Sequence, residues 1–191
     1  FILLFIGELS VSAQHMFSRQ FPFFNQLSSN EIFSIHQDRE GYFWIGTTNG
    51  LARYDGYQLN TFRTDYKNQN LLTDNGITAI NDNDLYVWIG TWKGLNLYNK
   101  QTCRITPFSD VRLLDKVVDA ITVDKDGNVW VSAGGMIYRC DSTAHIIKEY
   151  EVGNIQEGYA ISNIYVDQQK QLWAVGSRGI FRYEPETDSF F

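Results

Sequence analysis

The chain has 191 residues, of which 43% are hydrophobic, 15% aromatic and 20% charged, and its formal net charge is −6. That composition is typical of a folded globular protein and excludes a disordered one. A uniformly acidic body repels nucleic acid and anionic lipid surfaces, so we expect no direct contact of this region with nucleic acid.

The N-terminal stretch FILLFIGELSVSAQ favours export of the protein. Its apolar run, from Phe1 to Gly7, is too short to span a bilayer, and Val11-Ser12-Ala13 offers the small residues that a signal peptidase prefers. We therefore interpret residues 1–13 as the remnant of a signal peptide and residues 14–30 as a lead-in segment or outer strand. The alternative is a buried N-terminal strand.

A block of similar sequence then recurs four times. Its tryptophans are separated by 44, 42 and 43 positions, and they are Trp44, Trp88, Trp130 and Trp173. Each block opens with two apolar residues three positions apart: Ile32 and Ile35, Ile77 and Ile80, Val118 and Ile121, Ile161 and Ile164. Short β-branched runs between turn signals indicate strands, and no helical period is sustained anywhere.

Two turns are predicted in each block. The first begins at an aspartate, which can accept a hydrogen bond from a backbone N–H two residues on; these residues are Asp38, Asp82, Asp124 and Asp167. The second carries a glycine, which is Gly50, Gly94 or Gly179, or the pair Gly134-Gly135 in the third block. Two residues after the tryptophan, Ser132 and Val175 replace the glycine of the first two blocks, which leaves the turn geometry of the third and fourth blades open.

Four short antiparallel strands in each ~40–45 residues form the unit of a β-propeller blade. We predict an all-β fold, a β-propeller fragment of about four blades at 31–66, 67–110, 111–152 and 153–191, with the fourth blade truncated. A lone blade cannot bury both of its faces, so the recurring aromatic residues are expected in the core between blades. They are the four tryptophans together with Tyr54, Tyr98, Tyr138 and Tyr183.

The block from Ile32 to Tyr54, I-x-x-I-x-x-D-x-x-G-x-x-W-I-G-T-x-x-G-L-x-x-Y, closely resembles the two-component regulator propeller repeat. The resemblance covers about residues 17–191. It implies an open arc of a seven-bladed propeller in the exported N-terminal sensor of a hybrid two-component system, on the periplasmic side of the inner membrane. It also implies an oligosaccharide ligand, further blades and sensor domains in the same chain, a homodimer and a histidine kinase. The chain holds no kinase motif, so the kinase would belong to the parent protein.

Loops on one face of such a propeller are the candidate ligand site, because loops carry variable chemistry on a fixed scaffold. Trp92 stands at a loop tip and could stack on a sugar ring, with Lys93 beside it and Arg178 at the matching position of the fourth block. Asn49 and Asn75 could bind hydroxyl groups. The alternatives are an indole folded onto the adjacent blade, two solvated cations and ordinary turn asparagines.

No catalytic cluster, metal-ligand spacing or cofactor motif is found in the sequence, and we expect Cys103 and Cys140 to be unpaired. The sequence therefore favours a non-enzymatic sensor. One alternative is a propeller that serves as a protein-interaction scaffold. Another is an exported propeller enzyme, such as a polysaccharide lyase or a lactonase, whose catalytic residues would lie in further blades.

Overall fold

The computed structural model describes residues 23–64, 67, 71–152, 161–177 and 179–191. The interpretation of residues 1–13 as a signal peptide and the candidate Arg178 lie outside the described residues. Within them the secondary structure consists of strands and two short 3-10 turns, Phe24–Gln26 and Val111–Leu113. The strands form four antiparallel four-stranded sheets, so the predicted fold class is confirmed.

Each sheet is built from four consecutive strands and corresponds to one blade. Blade one contains β1 (Ile32–Gln37), β2 (Phe43–Thr47), β3 (Gly50–Tyr54) and β4 (Leu59–Phe62). Blade two contains β5 (Ile77–Asp82), β6 (Tyr86–Thr91), β7 (Gly94–Asn99) and β8 (Arg104–Pro107). Blade three contains β9 (Val118–Val123), β10 (Val129–Ala133), β11 (Met136–Cys140) and β12 (Ile146–Glu151). Blade four contains β13 (Ile161–Val166), β14 (Leu172–Gly176), β15 (Gly179–Glu184) and β16 (Ser189–Phe190).

The blades stand side by side in chain order. The first strand of each blade neighbours the first strand of the next, so β1, β5, β9 and β13 form an inner rim. Loops between blades share one face with the loops between second and third strands. In blade two, for example, the N–H of Trp92, in the loop between β6 and β7, donates at 3.1 Å to the carbonyl of Gly76, in the loop that precedes β5. The remaining turns share the other face, where the N–H of Lys100 donates to the carbonyl of Leu85 at 3.1 Å. We call these the loop face and the turn face.

Each of the first three repeat tryptophans packs against the following blade. Trp44 lies in a buried cluster with residues of blade two, Trp88 with residues of blade three and Trp130 with residues of blade four. The ring of Trp44 meets that of Tyr98 edge-on, with centroids 4.8 Å apart. Burying one such aromatic side chain contributes roughly 2–3 kcal/mol, which accounts for its recurrence. Trp173, in blade four, is only half-buried.

The position two residues after each tryptophan lies within the second strand, not in a turn. Ser132 pairs with Ile137 and Val175 pairs with Ile180, in the same register as the glycines of the first two blades. Ser132 and Val175 therefore lie outside the turn itself. The turn of blade three does differ from those of blades one and two, because Gly134 and Gly135 both have positive φ, whereas the earlier blades have a single such glycine, Gly50 or Gly94. The size of the side chain two residues after the tryptophan determines how closely the neighbouring blade can pack.

A small residue here lets the next blade approach closely. A Cβ atom on Gly46 would lie 2.7 Å from Cγ2 of Ile77, and one on Gly90 would lie 2.6 Å from Cγ1 of Val118. Both distances are too short for two carbon atoms, so a substitution requires a shift of the backbone or of the neighbour. The glycines are therefore required by packing between blades.

The turn aspartates of blades one, three and four also hold the tryptophans. The indole Nε1 donates to the aspartate Oδ2 at 2.6 Å for Trp44 and Asp38, and at 2.8 Å in the equivalent pairs of blades three and four. The other carboxylate oxygen of Asp38 accepts the backbone N–H groups of Glu40 and Tyr42, both at 3.0 Å. One carboxylate thus closes the turn and positions the indole.

Blade two departs from this arrangement, because its first turn is one residue shorter. Asp82 is the last residue of β5, and Asn83 occupies the turn position, where its Oδ1 accepts from the N–H groups of Leu85 and Tyr86. The prediction that Asp82 begins the turn is therefore wrong. An amide offers only one acceptor oxygen. Accordingly, the buried Nε1 of Trp88 has no hydrogen-bond partner within the described part of the chain.

Candidate ligand-binding site

Trp92 stands at the tip of the loop between β6 and β7, on the loop face. One part of its ring lies against the backbone of Gly76, where a Cβ atom would be 2.3 Å from the indole. The ring of Phe33, from blade one, meets it at a centroid distance of 6.1 Å and an interplanar angle of 64°. Trp92 is nevertheless 43% exposed and Phe33 57% exposed. The two rings thus form an exposed aromatic pair that bridges blades one and two.

Phe33 belongs to a feature that sequence reasoning missed. The pairing of the first strand with the second shifts register by one residue near the start of every blade. The residue left out of the pairing is a β-bulge, and bulges are common beside functional sites. The four bulged residues are Phe33, Thr78, Asp119 and Ser162. Because the inner strands are neighbours, these residues follow one another along the loop-face end of the inner rim.

Two charged side chains accompany this row. Asp119 is exposed, yet surrounding protein atoms displace part of the water around its carboxyl group, which raises its pKa. Lys93 is 64% exposed, and its Nζ lies 3.8 Å from Oδ2 of Asp74. A pair at this distance on the surface contributes little, so the ammonium group remains available to a ligand. Aromatic faces, hydroxyls and charges of both signs are therefore all present on the loop face.

The candidate asparagines have structural partners. Asn49 donates from Nδ2 to the carbonyl of Ser28 at 3.2 Å and accepts from Arg63 at 2.7 Å. Asn75 bonds both backbone groups of Thr64, donating at 2.8 Å and accepting at 2.9 Å. A ligand would have to displace these contacts. A direct ligand role for Asn49 and Asn75 therefore stays a prediction, as does that of Trp92 and Lys93.

The turn face carries a buried charge cluster between blades one and two. Oδ1 of Asp82 lies 2.7 Å from Nε2 of His36, and Oδ2 of Asp82 lies 2.7 Å from Nζ of Lys100. Burial alone would raise the pKa of Asp82, but these two hydrogen bonds outweigh burial and lower the pKa from 3.8 to about 2. A single carboxylate bound by a histidine and a lysine does not provide the two carboxylates of different pKa that glycosidic acid–base chemistry requires. The cluster is a structural link between blades.

A second cluster links blades three and four. Asp188 accepts from the hydroxyls of Tyr150 and Tyr183 at 2.6 and 2.7 Å, and from Nζ of Lys148 at 2.6 Å. Burial opposes ionisation of this carboxyl, but the three donors hold the pKa of Asp188 below its usual value. Burial, followed by the bond to Asp188, raises the pKa of Tyr150. These groups are occupied with one another and offer no free nucleophile.

The part of the chain that the structure describes contains no group of three or more His, Cys, Asp or Glu side chains that could hold a metal ion. Cys103 is exposed and free, whereas Cys140 is free and buried, and burial raises the pKa of its thiol to about 12. The described residues contain no helix that is long and apolar enough to cross a membrane.

Comparison with known proteins identifies the repeat. The family "two component regulator propeller" matches residues 26–49, which include β1 and β2 of blade one. None of the curated proteins compared with the chain matches it significantly. The family match covers part of blade one only. The other three blades are linked to it by their sequence similarity to blade one.

Solved structures share the propeller fold. The extracellular domain of a hybrid two-component system from B. thetaiotaomicron superposes with a TM-score of 0.65 at 20% identity, over 81% of this chain and 21% of that one. A second such domain from B. thetaiotaomicron gives a TM-score of 0.59 at 21% identity, over 86% of this chain and 30% of that one. Virginiamycin B lyase from Staphylococcus aureus gives 0.65 at 19% identity, over 82% and 53%. The chain thus spans about a fifth to a half of these structures, and identities this low establish the fold alone.

Proposed function

We propose that the chain is part of an exported ligand-sensing propeller of a hybrid two-component system and that it recognises an oligosaccharide. Its site would lie on the periplasmic side of the inner membrane, and the signal would pass to a histidine kinase of the parent protein. The partners would be further blades and sensor domains of the same chain, together with a second copy in a homodimer. The observation that carries the proposal is the two component regulator propeller match at residues 26–49.

The loop face supplies the chemistry that the proposal needs. Sugars present flat C–H faces and many hydroxyl groups, so their sites combine aromatic rings with a few placed polar groups. The pair formed by Trp92 and Phe33 offers the aromatic surface. The other bulged residues of the inner rim offer a carboxylate and two hydroxyl oxygens, which can accept from a ligand while they donate to backbone carbonyls. These residues stand on strands and short loops fixed by packing between blades.

A screen of the protein against an oligosaccharide array, followed by calorimetry of the best ligand, tests the proposal. We expect Trp92→Ala and Phe33→Ala each to weaken binding by about tenfold, because stacking on one ring is worth about 1 kcal/mol beyond area burial. The matched control is Tyr57→Ala, which removes an exposed aromatic residue from the turn face and should bind like the wild type.

Three results would contradict the proposal. The first is an array on which no oligosaccharide binds, and the second is a ligand that binds equally well to all three variants. The third is turnover of the bound oligosaccharide, because that would indicate an enzyme of the propeller-lyase kind.

A further inference from the structure

A groove lies on the face of blade two that is turned toward blade three, near the turn face and away from Trp92. Its volume is about 540 Å³, which falls within the range of small-molecule sites, roughly 300–1,000 Å³. Side chains of β7, β8 and the turn between them line most of it. The lining residues are Tyr86, Leu97, Asn99, Thr102, Arg104 and Thr106.

The groove exists because one side chain differs from its equivalents in other blades. The third-strand residue paired with the repeat tryptophan is Arg53 in blade one and Arg139 in blade three, whereas blade two has Leu97. Arg53 lies over the ring of Trp44 at 5.8 Å and donates to the Tyr98 hydroxyl at 2.5 Å.

Arg139 repeats this arrangement: its guanidinium carbon lies 5.6 Å from the centre of the Trp130 ring, and it donates to the Tyr183 hydroxyl at 3.1 Å. The shorter Leu97 does not fill the equivalent space. The outer-strand partner shortens as well, because Thr106 stands opposite Leu97 whereas Lys148 stands opposite Arg139.

The polar groups left in the groove are suited to a sugar that carries an acid. Arg104 is exposed, and its guanidinium forms no ion pair with any described residue. Asn99 uses Oδ1 to accept the N–H of Thr102, which leaves its Nδ2 as a donor. Tyr86 supplies an aromatic ring, because it pairs with Asn99, which in turn pairs with Arg104, and the threonines supply hydroxyls. Arginine binds a carboxylate with paired donors, which a lysine cannot match.

We propose that this groove on blade two binds an acidic oligosaccharide, with its carboxylate on Arg104 and a sugar ring against Tyr86. The proposal goes beyond the loop-face site, because the two sites lie on opposite faces and share no residue. Trp92→Ala should therefore leave binding in the groove unchanged. Failure of the groove proposal would leave the loop-face proposal standing, and the reverse holds as well.

The probe is trigalacturonate, compared with its fully methyl-esterified form, which keeps the sugar rings and removes the charge. Calorimetry on the protein should show the acid binding about tenfold more tightly than the ester, as expected for one charge-assisted hydrogen-bonded pair. Arg104→Gln should abolish that difference. Arg182→Gln, which removes an exposed arginine from blade four, should bind both probes like the wild type.

Leu97→Arg provides a variant that closes the groove and is expected to fold. Arginine already occupies the equivalent position in blades one and three, stacked on the tryptophan. The variant should melt near the wild-type temperature and bind neither probe. The proposal is overturned if trigalacturonate shows no binding at about 10 mM. It is also overturned if acid and ester bind alike to the wild type, or if a folded Leu97→Arg variant keeps wild-type affinity.

Discussion

At the scale of single residues, the turn aspartates of blades one, three and four each have two roles, closing the turn and binding the indole. Oδ1 of Asp38 closes the turn through backbone N–H groups, while Oδ2 holds the indole of Trp44. Asn83 in blade two closes its turn but does not bind the indole, so the Trp88 Nε1 has no acceptor among the described residues. Comparison of blade one with blade two therefore shows that an aspartate in the turn binds the indole and that an asparagine does not.

Asp38→Asn should destabilise the protein by about 1–3 kcal/mol, the usual cost of leaving a buried donor without an acceptor. The amide can still close the turn, but its NH₂ group faces the indole N–H. Urea unfolding measures the loss. Glu40→Gln, an exposed change in the same turn, is the control and should alter the free energy of unfolding by less than about 0.5 kcal/mol. Equal stability of the two variants would show that the indole bond contributes nothing.

Asp82 gives the molecule an acid-sensitive link. Its pKa falls from 3.8 to about 2 on folding, so the folded protein binds fewer protons than the unfolded chain in that range. The resulting stabilisation, about 2 kcal/mol, is fully present above pH 3.8 and is lost as the pH falls through about 2.

Asp82→Asn should be less stable than the wild type at pH 7, because Lys100 is buried and would lose its carboxylate. Unfolding by urea at successive pH values should show this gap narrowing between pH 4 and pH 2. A gap that stays constant over that interval would refute the assigned role of Asp82.

At the scale of the elements, the sequence predicts the features that are set by neighbouring residues. It does not predict those that depend on pairing between strands. The strands follow from the hydrophobic pattern and the turn residues, and the tryptophan interval predicts one blade for each repeat. The shift from Asp82 to Asn83 was not predicted, because a one-residue deletion can be aligned on either side of the turn. Strand pairing resolves it, since Asp82 stands opposite Val87. The bulge at Phe33 has no residue-type signature and needed the structure. In contrast, the repeat shows Leu97 where the other blades have an arginine, which is Arg53, Arg139 or Arg182.

Close packing between blades gives a prediction at the same scale. Gly90→Ala should cost about 1–3 kcal/mol, because the added Cβ would lie 2.6 Å from Cγ1 of Val118. Val118→Ala in the same chain should recover part of that loss by removing the opposing methyl groups. Thermal unfolding of the single and double variants measures the coupling.

The matched control for Gly90→Ala is Val175→Ala, at the same position of blade four, where the side chain is exposed. It should change stability little. Additive effects of Gly90→Ala and Val118→Ala would mean that the contact between the two blades is not the cause.

At the scale of the whole molecule, the two end blades differ from the inner ones in what covers them. Ile35 of blade one is 67% exposed, whereas Ile80, Ile121 and Ile164 at the same position are 7%, 7% and 3% exposed. The inner residues are covered by the preceding blade. Ile180 is similarly exposed on blade four, at 68%. Contiguous apolar surface of this kind favours association with another sheet.

Residues 14–191 produced alone should therefore self-associate as their concentration rises. Ile35→Lys combined with Ile180→Lys should reduce this association, because each change places a charge on one open face and leaves the inner interfaces intact. Sedimentation velocity over a concentration series measures it, with Gln169→Lys as a control that adds charge at an exposed turn. A wild-type chain that is monomeric at every concentration and melts cooperatively would show that the end faces are not association surfaces. Equal association of the double variant and the control would place the contact elsewhere on the molecule.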